Sequence, residues 1–127
     1  NLDFSDAVIP HGYIDDDMQR MTFIRRFAEA QDAHDIAALV AELKDRYGPL
    51  PDEAVEFIEL SRLRVVAAKA GIGHIDAKGP RAILYRHKTR EVALVCDLTG
   101  GSVAAKIATI RKAIDAGSRQ DLRRARA

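Results

Sequence analysis

The sequence has no tryptophan, one cysteine and only 6% aromatic residues, and neither sign of charge prevails. With Cys96 alone, no disulfide can form within the chain, and a reducing compartment is expected. Twenty basic residues face 19 acidic ones, for a net charge of +1. A dedicated nucleic-acid domain would carry a clear basic excess. No apolar run approaches the ~20 residues needed to span a bilayer. The N-terminal Asn1-Leu2-Asp3-Phe4 lacks the basic-then-apolar pattern of a signal peptide. A cytoplasmic protein with no membrane partner is the expectation, and the abrupt start suggests a piece of something longer.

Motifs of catalysis are missing as well. The chain holds no G-x-x-x-x-G-K-[ST] loop for phosphates, and Gly71-Ile72-Gly73 lacks the third glycine of a dinucleotide fingerprint. His11, His34, His74 and His87 are scattered, none with a second histidine or a cysteine at i+3 or i+4, so they read as ordinary surface or half-buried histidines. Asp15-Asp16-Asp17 could suggest a cation loop. An EF-hand, however, would want glycine at Arg20 and a carboxylate at Arg26, and helix capping explains the run better. Cys96 ends an apolar run and reads as a small buried hydrophobe.

What remains is a patterned chain of 127 residues, long enough for one domain with its own core. Ala7-Val8-Ile9-Pro10 reads as a short extended segment closed by a proline. A first helix is expected from Met18 to about Ala30, with Met21, Phe23, Ile24, Phe27 and Ala28 on one broad face. A second follows Asp32, with Ile36, Leu39, Val40, Leu43 and Tyr47 on one stripe, stopped by Gly48 and Pro49. A third restarts at Leu50-Pro51-Asp52-Glu53 and runs to Ala70. Its apolar residues cover more than one face, so it should be the most enclosed. After Gly71, the runs at 72–76, 82–85 and 92–95 read as short strands, the last two able to pair as a hairpin. Gly100-Gly101-Ser102 breaks the chain before a last helix carrying Val103, Ile107, Ile110 and Ile114, which Gly117 is expected to end. The arginine-bearing tail 118–127 reads as frayed or disordered. The expected fold class is α+β: three N-terminal helices packed with a small, mostly antiparallel sheet and a C-terminal helix.

The end of the second helix stands out. Glu42 and Asp45, three residues apart, share a face opposite the Ile36/Leu39/Leu43 stripe and should both be exposed. They lie in the last turns, where the helix dipole disfavours negative charge by about 0.3–1 kcal/mol. Local pairing of Glu42 with Arg46 at i+4 is the plain reading. A cationic partner is the other, because it turns the cost into affinity. Arg20, Arg25 and Arg26 of the first helix could touch phosphate, although interleaved acids and few aromatics favour a solvated face.

The order Val8-Ile9-Pro10, Tyr13-Ile14, the helix with Arg20 and Arg25-Arg26, then Glu42-Leu43-Lys44-Asp45-Arg46-Tyr47-Gly48-Pro49-Leu50-Pro51 resembles the C-terminal domain of bacterial transcription-repair coupling factors. The stretch Leu63 through Ala70-Gly71-Ile72 and the strand ending Ile83-Leu84-Tyr85 fit it too. The resemblance departs at Asp15, where the family often has proline, and in the spacing of the last strand and helix. It implies a modular parent, an ATP-driven translocase on double-stranded DNA that uses ATP and Mg, removes stalled RNA polymerase and recruits UvrA. The motor and its cofactors would lie outside this chain. It further implies a non-catalytic regulatory domain over residues 1–117 that folds back on a UvrB-like N-terminal module and covers the surface UvrA needs. Glu42 and Asp45 would face arginines there, with Arg46 beside them.

The sequence is thus compatible with three readings: this interaction domain, a nucleic-acid accessory domain using Arg20, Arg25, Arg26 and the tail, and a small enzyme of unrecognised type.

Overall fold

The computed structural model describes residues 8–98 and 101–126, the side chains through Gly117. Asn1-Leu2-Asp3-Phe4, Ala7 of the expected extended segment, Gly100 of the chain break and the side chains of the arginine tail lie outside the described residues. The fold is α+β as expected: α1 (Asp17–Glu29), α2 (Ala33–Tyr47), α3 (Asp52–Lys69), β1 (Ile72–Lys78), β2 (Arg81–Arg86), β3 (Val92–Asp97) and α4 (Val103–Arg126). The chain divides into two compact units, one ending at Val65 and the other beginning at Val66.

In the first unit, side-chain caps set where the helices start. The Asp16 carboxylate accepts the backbone N–H of Gln19 at 3.0 Å, which fixes the role of the aspartate run as a cap. Asp32 accepts from the N–H of Asp35 at 2.8 Å, and Asp35 reaches back to the N–H of Gln31 at 3.1 Å. Two otherwise orphaned donors are thus satisfied reciprocally. Phe23 and Phe27 form the buried face of α1, while Met21, expected on that face, remains 52% exposed. Ile36, Leu39 and Leu43 form the buried stripe of α2. Together with Ile9, Ile14, Phe57, Ile58 and Val65 they build one apolar core. Phe27 and Phe57 meet edge to face at 5.4 Å between ring centres, a favoured arrangement of ring quadrupoles. Val8-Ile9-Pro10 belongs to no strand, although Ile9 is buried. α3 is enclosed along most of its length, with Ala54, Phe57, Ile58, Leu60, Ser61, Leu63, Val65 and Ala67 all buried. Ser61 is accommodated by donating its hydroxyl to the Phe57 carbonyl at 3.0 Å.

In the second unit the strands form one antiparallel sheet in the order β1-β2-β3. Gly79-Pro80 makes the tight first connection, with Gly79 at φ +57°. Ile75, Ala77, Ala82 and Leu84 alternate onto the buried face, as a half-buried sheet requires. His74, Asp76, Ile83 and Tyr85 take the opposite face by the same period-two rule. α4 packs along β3. Ser102 caps α4 by accepting the N–H of Ala105 at 3.0 Å, and Ile107, Ile110 and Ile114 are buried on one stripe.

The expected stop of α4 at Gly117 is corrected: the helix continues to Arg126. Packing explains why a glycine is tolerated inside it. A Cβ on Gly117 would lie 3.2 Å from both terminal methyls of Leu94 in β3, so the missing side chain permits helix and strand to approach closely.

Candidate functional site

The C-terminal end of α2 is held by groups brought from far away in the chain. Gly48 adopts φ +86° and ψ −160°, and its N–H closes onto the Lys44 carbonyl at 3.0 Å. Pro49 disfavours helical ψ at the preceding residue, so the chain leaves α2 in a conformation open essentially to glycine alone. The Gly48 carbonyl accepts the hydroxyl of Tyr13 at 2.7 Å, and the Leu43 carbonyl lies 3.2 Å from the same oxygen. Tyr13 therefore supplies a donor to the carbonyls that a helix end leaves orphaned. Its ring sits 5.8 Å from that of Tyr47, which packs edge-on against Phe23 at 6.0 Å and donates its hydroxyl to Gln19 at 2.6 Å. Burial, and then the neighbouring Tyr47, pushes the Tyr13 phenol above its ordinary range.

On this anchored turn, Glu42 is not a free carboxylate. Arg26 of α1 grips it with both terminal nitrogens, Nη1 to Oε2 at 2.6 Å and Nη2 to Oε1 at 3.2 Å. Arg46 approaches Oε2 at 3.7 Å. The expectation of full exposure is thus corrected for Glu42, whose side chain keeps 36% of its accessible surface. Pairing with Arg46 is present, but the shorter, fork-shaped bond comes from 16 residues away. Both guanidiniums also lie over the Phe23 ring, Arg26 at 5.1 Å and Arg46 at 5.6 Å from its centre, within cation–π range. The Arg26 hydrogen bond holds the Glu42 carboxyl below its ordinary range against desolvation, and the charges of Arg26 and Arg46 add smaller effects in the same direction as that bond.

Asp45 differs: it is exposed and makes no ion pair among the described residues. The arginines of α1 divide in the same way. Arg20 is 20% accessible and meets Asp17 at 3.1 Å, and its Nη1 is buried without a hydrogen-bond partner among the described residues. Arg26 is committed to Glu42, and Arg25 is exposed. The structure thus gathers Arg26, Glu42 and Arg46 into one cluster, with Arg20 and Arg25 outside it. Arg26 joins Glu42 only through the packing of α1 on α2, which no local spacing reveals.

The sheet holds a second polar cluster. His74 and Tyr85 face one another across β1 and β2 at 5.5 Å between ring centres. With Gly73, Asp76, Arg86, His87 and Arg90 they line a cavity of about 530 Å³. Gly73 sits in a bulge of β1, and a Cβ there would fall 2.8 Å from the Cα of His87. Two histidines 13 positions apart in the chain thereby line one cavity, a neighbourhood that only the strand register creates. No group of three or more potential metal-ligating side chains occurs among the described residues. No described helix is long and apolar enough to cross a membrane.

An α+β domain whose second helix ends on an anchored acidic and basic turn is the class that fold and site define. A solved C-terminal domain of a transcription-repair coupling factor matches it with a TM-score of 0.76 over 94% of this chain and 92% of that one, at 15% identity, a likeness of fold. The family model of the TRCF domain matches residues 4–94, and the chain belongs to that family. Among relatives, the transcription-repair-coupling factor of Mycobacterium bovis is 40% identical over 72 residues, 57% of this chain and 6% of that protein. That of Myxococcus xanthus is 42% identical over 59 residues, 46% of this chain and 5% of that protein. That of Escherichia coli is 34% identical over 70 residues, 55% of this chain and 6% of that protein. The chain thus spans about a twentieth of the length of these relatives.

Proposed function

We propose that this chain is the regulatory C-terminal module of a transcription-repair coupling factor, and that it acts by docking rather than by catalysis. Its partner is the UvrB-like N-terminal module of the same parent protein, and the docked state masks the surface that recruits UvrA. In this reading, ATP-driven translocation on double-stranded DNA, with its Mg and nucleotide, and the release of stalled RNA polymerase belong to other parts of the parent. The observation that carries the reading is Asp45: an exposed carboxylate, without an ion pair among the described residues, on a helix end that Tyr13 and Gly48 make rigid.

Glu42 contributes beside it. Two carboxylate oxygens accept about four hydrogen bonds, so a partner arginine adds to the Arg26 fork without displacing it. Arg46, stacked on the Tyr47 ring at 5.3 Å, limits the orientations such an arginine can take. Tethering within one chain supplies effective concentrations up to about millimolar. An intrinsic affinity of about 10–100 μM then keeps the parent mostly closed, yet able to open when another arrangement is favoured. Titration of this chain with the separately purified UvrB-like module tests the reading. Micromolar binding that weakens with salt, and is lost in a Glu42→Lys/Asp45→Lys double variant, supports it. Unchanged affinity of the folded double variant at low salt contradicts it.

A further inference from the structure

The cavity over β1 and β2 takes no part in the docking turn, and its chemistry is of another kind. Along one edge stand two rings, His74 and Tyr85, on the face of the sheet opposite the buried Ile75 and Leu84. At one end, Arg86 and Arg90 are exposed and make no ion pair among the described residues. Their backbones are set by the tight β2–β3 connection, where the N–H of Arg90 meets the Arg86 carbonyl at 3.0 Å and Arg90 takes φ +61°. A non-glycine residue at positive φ is uncommon and is held only where the surroundings require it. Toward the other end, Asp76 pairs in register with Ile83, three residues before Arg86. At the rise of a strand, that places the carboxylate about 10 Å from the arginine end. Asp76 Oδ1 is shielded from solvent and accepts no hydrogen bond among the described residues. A buried acceptor of this kind calls for a donor.

We propose that this cavity binds one nucleotide unit, its base against Tyr85 and His74 and its phosphate at Arg86 and Arg90. Each feature has a counterpart in that ligand. Flat aromatic side chains on an open sheet stack bases, and arginine forks suit phosphate. The base edge carries N–H groups that the shielded Asp76 oxygen can accept, while that carboxylate stays at the end away from the phosphate. The volume of about 530 Å³ suits a ligand of this size. Gly73 is part of the construction, because its bulge brings His87 against β1 at the phosphate end.

The same chemistry is offered by a free mononucleotide and by an unpaired nucleotide within a single strand, and the probes separate them. The 127-residue chain, labelled with ¹⁵N, is titrated with GMP in one arm and with a dT decamer in the other. Shifts at Gly73, His74, Tyr85 and Arg86 in either arm support the proposal: the GMP arm assigns a free nucleotide, the decamer arm alone a nucleotide in a strand. Tyr85→Ala is expected to weaken binding about fivefold to a hundredfold, the usual range for losing one base stack. The double variant Arg86→Glu/Arg90→Glu, at two exposed positions, is expected to abolish it and serves if Tyr85→Ala fails to fold. Arg25→Glu is expected to bind as the parent chain does. Absence of binding by both probes at millimolar concentration overturns the proposal. So does binding that Arg25→Glu removes and the Arg86→Glu/Arg90→Glu variant leaves intact.

Discussion

Tyr13→Phe removes one oxygen and leaves the packing of the ring intact, so its effect isolates the hydroxyl that anchors the end of α2. In the parent chain that hydroxyl donates at 2.7 Å to the Gly48 carbonyl and lies 3.2 Å from the Leu43 carbonyl. The net worth of such a bond is about 0.5–1.5 kcal/mol. The phenylalanine also leaves a half-buried carbonyl without its donor, a penalty of about 1–3 kcal/mol where water cannot reach it. Tyr13 is only half-buried, so water repairs part of that loss and a total of about 1–2 kcal/mol is expected. For a chain of this length that amounts to roughly 3–8 °C in Tm. Urea denaturation followed by far-UV circular dichroism measures the stability, and amide exchange at Gly48 shows whether the loss is local. Faster exchange in the last turn of α2 should accompany the lower midpoint. A Tyr13→Phe chain within about 0.3 kcal/mol of the parent would refute the claim that this hydroxyl holds the turn, since that is the scale of an unremarkable surface substitution.

Other substitutions probe neighbouring parts of the account. Gly48→Ala meets no atom within 4 Å, so its expected cost of about 1–3 kcal/mol arises wholly from backbone conformation and should appear in the same urea titration. Glu42 is held below its ordinary carboxylate value in the folded chain, so it binds protons less readily there than when unfolded. Its stabilising contribution is therefore complete above the unfolded value near 4.5 and is lost as pH falls through the lower folded value. Stability measured from pH 7 to pH 3 should fall less steeply in Glu42→Gln, and an unchanged slope would exclude the pairing with Arg26 as its source. Ile110→Ala in α4 opens a cavity at a fully buried position and should cost about 2–5 kcal/mol by the same denaturation.

Local features of the chain were legible wherever the cause was local. Asp16, Asp32 and Ser102 announced three helix starts, and each proved to cap through its own carboxylate or hydroxyl. Gly48 followed by Pro49 announced the end of α2, and the β2–β3 hairpin followed from two apolar runs around a polar connection. Contacts between distant residues were not legible. Arg26 and Glu42 belong to separate helices, and Tyr13 is 35 residues from Gly48, so neither pairing leaves a mark on spacing within an element. The exposure of Glu42 was overestimated from its helical face alone, because a neighbouring helix covers that face in part. Gly117 shows the opposite failure: a residue that weakens isolated helices remains helical, and Leu94 of β3 packs where a side chain would have been. The sparse aromatics likewise concealed the sheet cavity, since composition averages over the chain while strand register brings His74 and Tyr85 together.

The docking account stands or falls most directly on Asp45, the exposed acid that pairs with no arginine among the described residues. The decisive measurement is the affinity of an Asp45→Lys chain for the UvrB-like module, compared with the parent chain and repeated with a module whose facing arginine is reversed to glutamate. The account predicts that Asp45→Lys weakens binding about tenfold or more against the unaltered module, as like charges brought together at an interface do, and that the reversed module restores it. Equal affinity of the parent and Asp45→Lys chains for the unaltered module, with both chains folded, would contradict it.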